Sequence, residues 1–311
     1  MLVSVVIPVF NEEDVLPILS GRLDAVLDSI ENNLSVEIIF VDDGSTDDSA
    51  RIIRGKCTND NRYKLIRLSR NFGHQAAILA GLHVSLGDAV IAMDADLQDP
   101  PELIPTMIQE WKSGSEVVYA KRRERKGDSF FKRVSAKFFY LLIDWLSDTK
   151  LPRNVGDFRL MDRVIIDQVK NLPEKSLYLR GMVSWVGFKQ TAVEFDRDAR
   201  FAGSTKYTIS KMINLAVDAL LSFSERPLRL VTRLGLLMTL FSFSAVVYLL
   251  FSVLFKPSQG TSGWLSIIAT VLLLGGVQLV CLGIVGEYVS RIYRETKGRP
   301  LFIIDEKRSV Y

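Results

Sequence analysis

Ser4-Val-Val-Ile-Pro-Val-Phe10, followed at once by Asn11-Glu-Glu-Asp14, decides the architecture of the chain. A short run of mostly β-branched apolar residues reads as a strand buried on both faces, and the helical period over Val15 to Ile30 supplies the element that covers it. The pattern recurs outward from there. Val36-Glu-Ile-Ile-Phe-Val41, Tyr63-Lys-Leu-Ile-Arg-Leu68, Asp88-Ala-Val-Ile-Ala-Met93 and Glu116-Val-Val-Tyr-Ala120 are further short strands, and Gln75 to Leu86 has helical period between two of them. Strands separated by helix-length segments predict βαβ units and a mainly parallel, Rossmann-like α/β sheet with helices on both faces.

Ligands of such sheets bind beyond the carboxyl ends of the strands. Here those ends carry Asn11-Glu-Glu-Asp14, Asp42-Asp-Gly-Ser-Thr-Asp47 and Asp94-Ala-Asp-Leu-Gln-Asp-Pro-Pro101, so three acidic clusters are expected on one edge. Gathered carboxylates repel unless a cation sits among them, and Mg²⁺ or Mn²⁺ favours oxygen ligands completed by substrate phosphates. No Gly-x-x-x-x-Gly-Lys or Gly-x-Gly-x-x-Gly occurs, which removes support for P-loop hydrolysis and for dinucleotide redox chemistry. A diphosphate would then be held by metal and by basic side chains. Singly, each cluster reads as readily as a turn or a helix cap.

Composition narrows the class. The 311 residues allow one large domain or two modest ones, and 48% hydrophobic residues with 24% charged exclude disorder. Thirty-nine basic residues against 36 acidic ones are too balanced for a nucleic-acid binder. Two cysteines, Cys57 and Cys281, and two histidines, His74 and His83, exclude a disulfide framework and Cys- or His-rich metal sites. The stretch Leu2 to Phe10 is short and broken by Pro8, so it does not read as a signal peptide, and the N-terminal part is expected in the cytoplasm.

The apolar excess lies towards the C-terminus. No charge occurs from Leu234 to Phe255 or from Pro257 to Gly286, and each run is long enough for a helix across a hydrocarbon core of about 30 Å. Arg226, Arg229 and Arg233 precede the first run and Arg291, Arg294, Lys297 and Arg299 follow the second, whereas the connector from Lys256 to Gly263 holds one positive charge. The positive-inside rule puts both ends in the cytoplasm and the connector outside. The expected division is a cytoplasmic domain over 1–227, two transmembrane helices over 228–290 and a cytoplasmic tail over 291–311: a multi-pass protein of the cell membrane.

Six segments in order carry a resemblance: Val5-Val-Ile-Pro-Val-Phe-Asn-Glu-Glu13, Val41-Asp-Asp-Gly-Ser45, Asn71-Phe-Gly-His-Gln75, Met93-Asp-Ala-Asp-Leu-Gln-Asp-Pro-Pro101, Gly156-Asp-Phe-Arg-Leu160 and Arg200-Phe-Ala-Gly-Ser-Thr-Lys-Tyr207. With the hairpin behind them, they resemble the polyprenyl-phosphate hexose synthases of glycosyltransferase family 2, which have the GT-A fold. Bactoprenol glucosyltransferases look most similar, and dolichyl-phosphate mannose synthases are more distant. The resemblance implies base and ribose contacts from Pro8, Phe10, Glu12, Asp42 and Asp43. It implies Mg²⁺ or Mn²⁺ held with the donor diphosphate by Asp96 and Gln98, with Asp94 near ribose or a metal water. Asp157 takes the position of the family's candidate catalytic carboxylate, expected to orient acceptor or sugar with residual proton acceptance, and Arg159 is an alternative support for it.

The acceptor side is read from basic residues. Lys121 to Lys137 holds eight basic residues and two acidic ones, and Phe131, Val134, Phe138, Leu141, Leu142 and Trp145 recur at helical spacing, as in a helix lying in a membrane interface. A second amphipathic stretch, Thr208 to Phe223, leads to the first span, and the loop from Asp198 to Tyr207 has the basic, glycine-containing character of a phosphate clamp. Arg122, Lys132, Arg133, Ser135, Arg200, Ser204 and Lys206 are therefore the expected acceptor-phosphate residues.

The expected reaction is inverting transfer of a hexose, glucose from UDP-glucose by resemblance, to polyprenyl phosphate at the cytoplasmic face of the bilayer. A phosphate monoester has a second pKa of ~6 and is already ionised, so a strong general base is not required. GDP-mannose as donor, a processive synthase, a membrane-tethered nucleotide-sugar-binding scaffold and a flippase stand beside this reading. A homo-oligomer is left open.

Overall fold

The computed structural model describes residues 1–30, 34–123, 155–174, 178–196 and 264–311, with scattered positions between 228 and 251. The described residues fall into two compact units, one formed by those within 1–123, 155–196 and 299–311 and the other by those within 228–298.

In the first unit β1 (Leu2–Val9), β2 (Ser35–Asp42), β3 (Tyr63–Arg67) and β4 (Ala89–Ala92) alternate with α1 (Leu16–Ser29), α2 (Ser49–Asn59) and α3 (His74–Val84). All five strands read from the sequence are present, the fifth as β5 (Val117–Arg122), reached through α4 (Ile104–Lys112). Two strands escaped that reading: β6 (Val155–Asp162), followed by α5 (Arg163–Asn171) and α6 (Leu179–Val186), and β7 (Gln190–Phe195). The strand order is β3-β2-β1-β4-β6-β5-β7. β1 pairs in parallel with β2 and β4, β2 with β3, and β5 with β7, whereas β6 runs antiparallel to β4 and β5. The sheet is thus mixed around β6, and otherwise parallel as expected.

Burial explains the composition of the strands. Every residue of β1 from Val3 to Val9 is buried, because helices cover both faces of the sheet. On one face Val5, Ile38, Leu65, Ile91 and Leu160 meet Leu16, Leu19 and Leu23 of α1 and Met107 and Trp111 of α4. On the other, α3 lies so close that a Cβ on Gly81 would overlap the Val6 side chain, so glycine is required there. A buried polar network closes the amino ends of the strands: Glu37 accepts from Ser4 Oγ, from Leu86 N at 2.9 Å and from Lys64 Nζ at 2.7 Å.

In the second unit α7 (Trp264–Thr296) runs for 33 residues. Its apolar side chains Ile267, Val271, Leu279, Val280 and Val289 are exposed. Among the described residues no helix is long and apolar enough to cross a membrane, and the first expected span is described only at scattered positions.

Candidate functional site

The loops after β1 and β2 meet, and they hold one another. Asn11, in the left-handed region at φ 56°, accepts from Thr46 N at 2.9 Å, while its own amide donates to Ser45 Oγ at 3.0 Å. Glu12 N donates to Ser49 Oγ at 2.9 Å, and Asp48 N donates to Glu13 Oε2 at 2.9 Å. Gly44, at φ 73°, brings this turn against the backbone of Arg70 and Asn71, where a Cβ would come within 2.7 Å of a carbonyl carbon. Glycine at position 44 is therefore a steric requirement of the turn.

Of the expected nucleoside residues, Phe10 is 40% exposed at the strand end, an uncovered aromatic face beside the loops. Asp42 and Asp43 are buried and face inward. Asp42 accepts from Ser45 N at 2.9 Å and lies 3.1 Å from Arg67 Nε, while Asp43 accepts from Phe72 N at 2.7 Å and Gly73 N at 2.9 Å. Burial, reinforced by the Asp42 charge, raises the Asp43 pKa above the ordinary carboxylate value. These two carboxylates brace the turn and the start of α3; neither is directed into open space. Pro8, within β1, is buried too.

The third loop is tight. Leu97 has φ 60°, Gln98 N donates to Asp96 Oδ1 at 3.1 Å, and Asp94 N donates to Asp99 Oδ2 at 3.3 Å. A branched residue held in the left-handed region is costly and marks a conformation imposed by its surroundings. Asp99 is buried, and burial together with the Asp94 charge raises its pKa. Gln98 is buried as well, and its Oε1 has no hydrogen-bond partner. An orphaned amide oxygen beside Asp94 and Asp96 is a donor set that suits a hard divalent cation. Among the described residues no three His, Cys, Asp or Glu side chains gather to hold an ion unaided, so a cation here would draw on the Gln98 oxygen and on ligands supplied from outside the chain.

Asp157, on β6, comes to this edge because β6 pairs with β4, four residues of which register with Arg159 to Asp162. Arg180 Nε and Nη2 donate to it at 2.7 and 3.2 Å, Gln75 Nε2 donates at 2.9 Å, and His74 Nε2 lies 3.4 Å from Asp157 Oδ2 and 3.2 Å from Asp94 Oδ1. Burial opposes the Asp157 charge, yet the His74 bond, Arg180 and the buried Arg159 hold its pKa far below the usual carboxylate range. Burial likewise opposes a charged His74, and the bonds and charges of Asp157 and Asp94 outweigh it and push the imidazole up to about 10. Held by a guanidinium and an amide, with the imidazole alongside, Asp157 is kept in its ionised form, which favours the expected orienting role over proton acceptance. Arg159 lies beneath, donating to Gly156 O at 3.0 Å, so it supports the segment carrying Asp157 through its backbone.

Arg180, His74 and Gln75 are the residues around Asp157 that sequence reasoning gave no site role. His74 and Gln75 stood inside a quoted motif, and Gln75 Oε1 also accepts from Leu179 N at 3.1 Å, tying α3 to α6. Arg122 ends β5 beside Gly156, with its Nη2 3.3 Å from where a Cβ on that glycine would stand. Lys132, Arg133, Ser135, Arg200, Ser204 and Lys206, with both amphipathic stretches, lie outside the described residues.

A mainly parallel sheet with acidic loops after its strands and an unbonded amide oxygen in one of them suits a transferase of nucleotide-linked groups, and comparison with known proteins places the chain among glycosyltransferases. Residues 4–170 match glycosyl transferase family 2, and residues 226–292 match the GtrB C-terminal hairpin. The chain belongs to glycosyl transferase family 2. It is 48% identical to the uncharacterized glycosyltransferase YkcC of Bacillus subtilis, over 99% of this chain and 94% of that one. It is 40% identical to the bactoprenol glucosyl transferase of Shigella phage SfX, over 99% and 100% of the two chains, and 41% identical to the prophage bactoprenol glucosyl transferase homolog of Escherichia coli, over 98% of both.

Proposed function

We propose that this protein transfers a hexose, glucose from UDP-glucose, to polyprenyl phosphate with inversion at the anomeric carbon. The observation that carries the reading is the unbonded, buried Gln98 oxygen on the loop that also carries Asp94 and Asp96, after a strand that neighbours β1 in the sheet. Family membership and full-length likeness to bactoprenol glucosyl transferases support the acceptor class.

The lipid phosphate oxygen attacks C1 of the sugar, the bond from C1 to the donor diphosphate breaks, and the nucleoside diphosphate leaves with the electron pair. No proton need move, because the attacking phosphate is already ionised. Phe10 stacks the base; Asp42 and Asp43 act from behind it by holding the turn. Asp94, Asp96 and Gln98 would hold Mg²⁺ or Mn²⁺, which, when bound, offsets charge on the leaving diphosphate. Asp157, ionised and fixed by Arg180, His74 and Gln75, orients rather than deprotonates. Arg122, Lys132, Arg133, Ser135, Arg200, Ser204 and Lys206 receive the acceptor phosphate.

The hairpin over 226–292 inserts in the bilayer with both ends cytoplasmic, a reading supported by the uncharged runs, the flanking arginines and the exposed apolar side chains of α7. Release of UDP from UDP-glucose, measured with and without undecaprenyl phosphate, tests the whole. Acceptor-dependent release with formation of a glucosylated lipid is expected. Nucleotide binding with no release in the presence of acceptor favours a scaffold.

A further inference from the structure

The chain does not end at its long helix. Residues 302–310 return along the free side of β3, the edge strand of the sheet, and pair with it antiparallel. Leu65 and Val310 exchange both backbone bonds, at 2.8 and 2.7 Å, and Ser69 N donates to Ile303 O at 2.9 Å. Phe302 packs edge-on against His83 of α3, with ring centroids 5.5 Å apart. Edge strands need covering, and a short added strand would do that wherever it lay.

What singles out this register is Arg67. Its backbone is clamped from both directions by the tail: Asp305 N donates to Arg67 O at 2.8 Å, and Arg67 N donates to Ser309 Oγ at 3.0 Å. Its side chain points the other way, into the turn after β2, where Nε lies 3.1 Å from Asp42 Oδ2 and Nη2 donates to Ser45 O at 3.3 Å. Asp42 has no exposed side-chain surface, so Arg67 neutralises a carboxylate that water does not reach. Ser45, the second residue Arg67 holds, accepts the Asn11 amide and so fixes the loop after β1. A chain of contacts therefore runs from Ser309 and Asp305 through Arg67 to Asp42 and Ser45, and from there to the loop that carries Phe10.

We propose that the C-terminal segment 302–310 is a strap that sets the donor-nucleotide site, with Arg67 and Ser309 as positioning residues acting through Asp42 and Ser45. It rests on the reading of that edge as the donor site. Weakening the strap loosens the two nucleoside loops and leaves the acceptor phosphate residues, which lie on other segments, unaffected.

The test uses full-length protein in detergent or nanodiscs, comparing wild type, a chain ending at Leu301, Ser309→Ala and Arg67→Lys. Hydrogen exchange of the peptide over 42–49 is read without nucleotide. UDP affinity is read at equilibrium, and the KM for UDP-glucose and for undecaprenyl phosphate are each read with the partner saturating. Exchange over 42–49 is expected to quicken in all three variants, UDP affinity to fall about 5- to 30-fold in the truncated chain and in Arg67→Lys and about 3-fold in Ser309→Ala, and the acceptor KM to stay within twofold. Unchanged exchange over 42–49 in the truncated chain and in Arg67→Lys overturns the strap. So does exchange that quickens equally throughout the sheet with both KM values rising together, which is the signature of mere edge covering. If exchange responds as expected while wild type binds no UDP, the donor reading fails and the strap stands.

Discussion

Replacing Asp157 by asparagine separates a positioned carboxylate from a base. The side chain is 5% exposed and faces Arg180, 35% exposed, with Arg159 buried below and His74 alongside. Asparagine keeps one acceptor oxygen for Arg180 but removes the charge that balances two guanidiniums and an imidazolium. Breaking a buried pair by neutralising one partner costs about 3–5 kcal/mol, and the partial exposure of Arg180 lowers this to about 2–3 kcal/mol. For a unit of this size that corresponds to a fall of roughly 5–10 °C in the unfolding midpoint of the catalytic unit. Transfer should drop as well, through displaced His74 and Arg180, but no ionisation limb that wild type displays between pH 6 and 9 should disappear, because no titrating base is lost; His74, relieved of the Asp157 charge that raises its pKa, should titrate lower than in wild type. Melts and pH–rate profiles of both proteins check this. An unchanged midpoint, combined with loss of an ionisation limb that wild type displays, would refute the reasoning and restore Asp157 as the base.

Four further outcomes are expected. Chelation should abolish transfer, and Gln98→Ala should weaken Mn²⁺ binding in the presence of UDP about tenfold, read by electron paramagnetic resonance, because it deletes the orphaned oxygen. Burial opposes the Glu37 charge, but Lys64, Ser4 and the Leu86 amide lower its pKa, so its contribution is complete above the unfolded value of ~4.3 and is lost as pH falls through the folded value; Glu37→Gln should cost about 1–3 kcal/mol at pH 7 in denaturant titration and flatten the acid limb. Arg200→Lys should raise the requirement for polyprenyl phosphate roughly tenfold and spare the donor, since lysine cannot make two parallel bonds to phosphate. A cysteine replacing Ser262 should be labelled in intact cells by an impermeant thiol reagent, and protection of that position would reverse the orientation.

Much of the sheet was legible because β1 to β5 are buried on both faces and so read as short apolar runs. β6 was not, although Val155-Gly-Asp-Phe-Arg-Leu-Met-Asp162 is a strand of eight residues. Its interior holds Asp157 and Arg159, charges that a buried strand excludes unless they find partners, and here Asp157 is held by Arg180 and Arg159 donates to the Gly156 carbonyl. β7 alternates between exposed and half-buried positions at the sheet's other edge, so it lacked a continuous apolar signal. The acidic edge was legible in residue type and only partly in role, since spacing says that Asp42 and Asp43 follow a strand but not that their oxygens turn inward.

The same limit explains the residues that went unnoticed. Arg180 sits in a helix of mixed composition, 23 positions from the carboxylate it holds, and Ser309 lies 242 positions from Arg67. Nothing local distinguishes a guanidinium that closes such a contact from one that is solvated. Each partner alone follows a common pattern, a helix arginine or a polar tail. Their meaning arises from topology: β6 enters antiparallel beside β4 and brings Asp157 to the acidic edge, and the tail adds to β3 and locks the strand end that supports Asp42. Both devices place a cation against a buried carboxylate at the carboxyl edge of the sheet. An edge that gathers its own acidic loops stays assembled when its inward-facing carboxylates are neutralised by the chain itself.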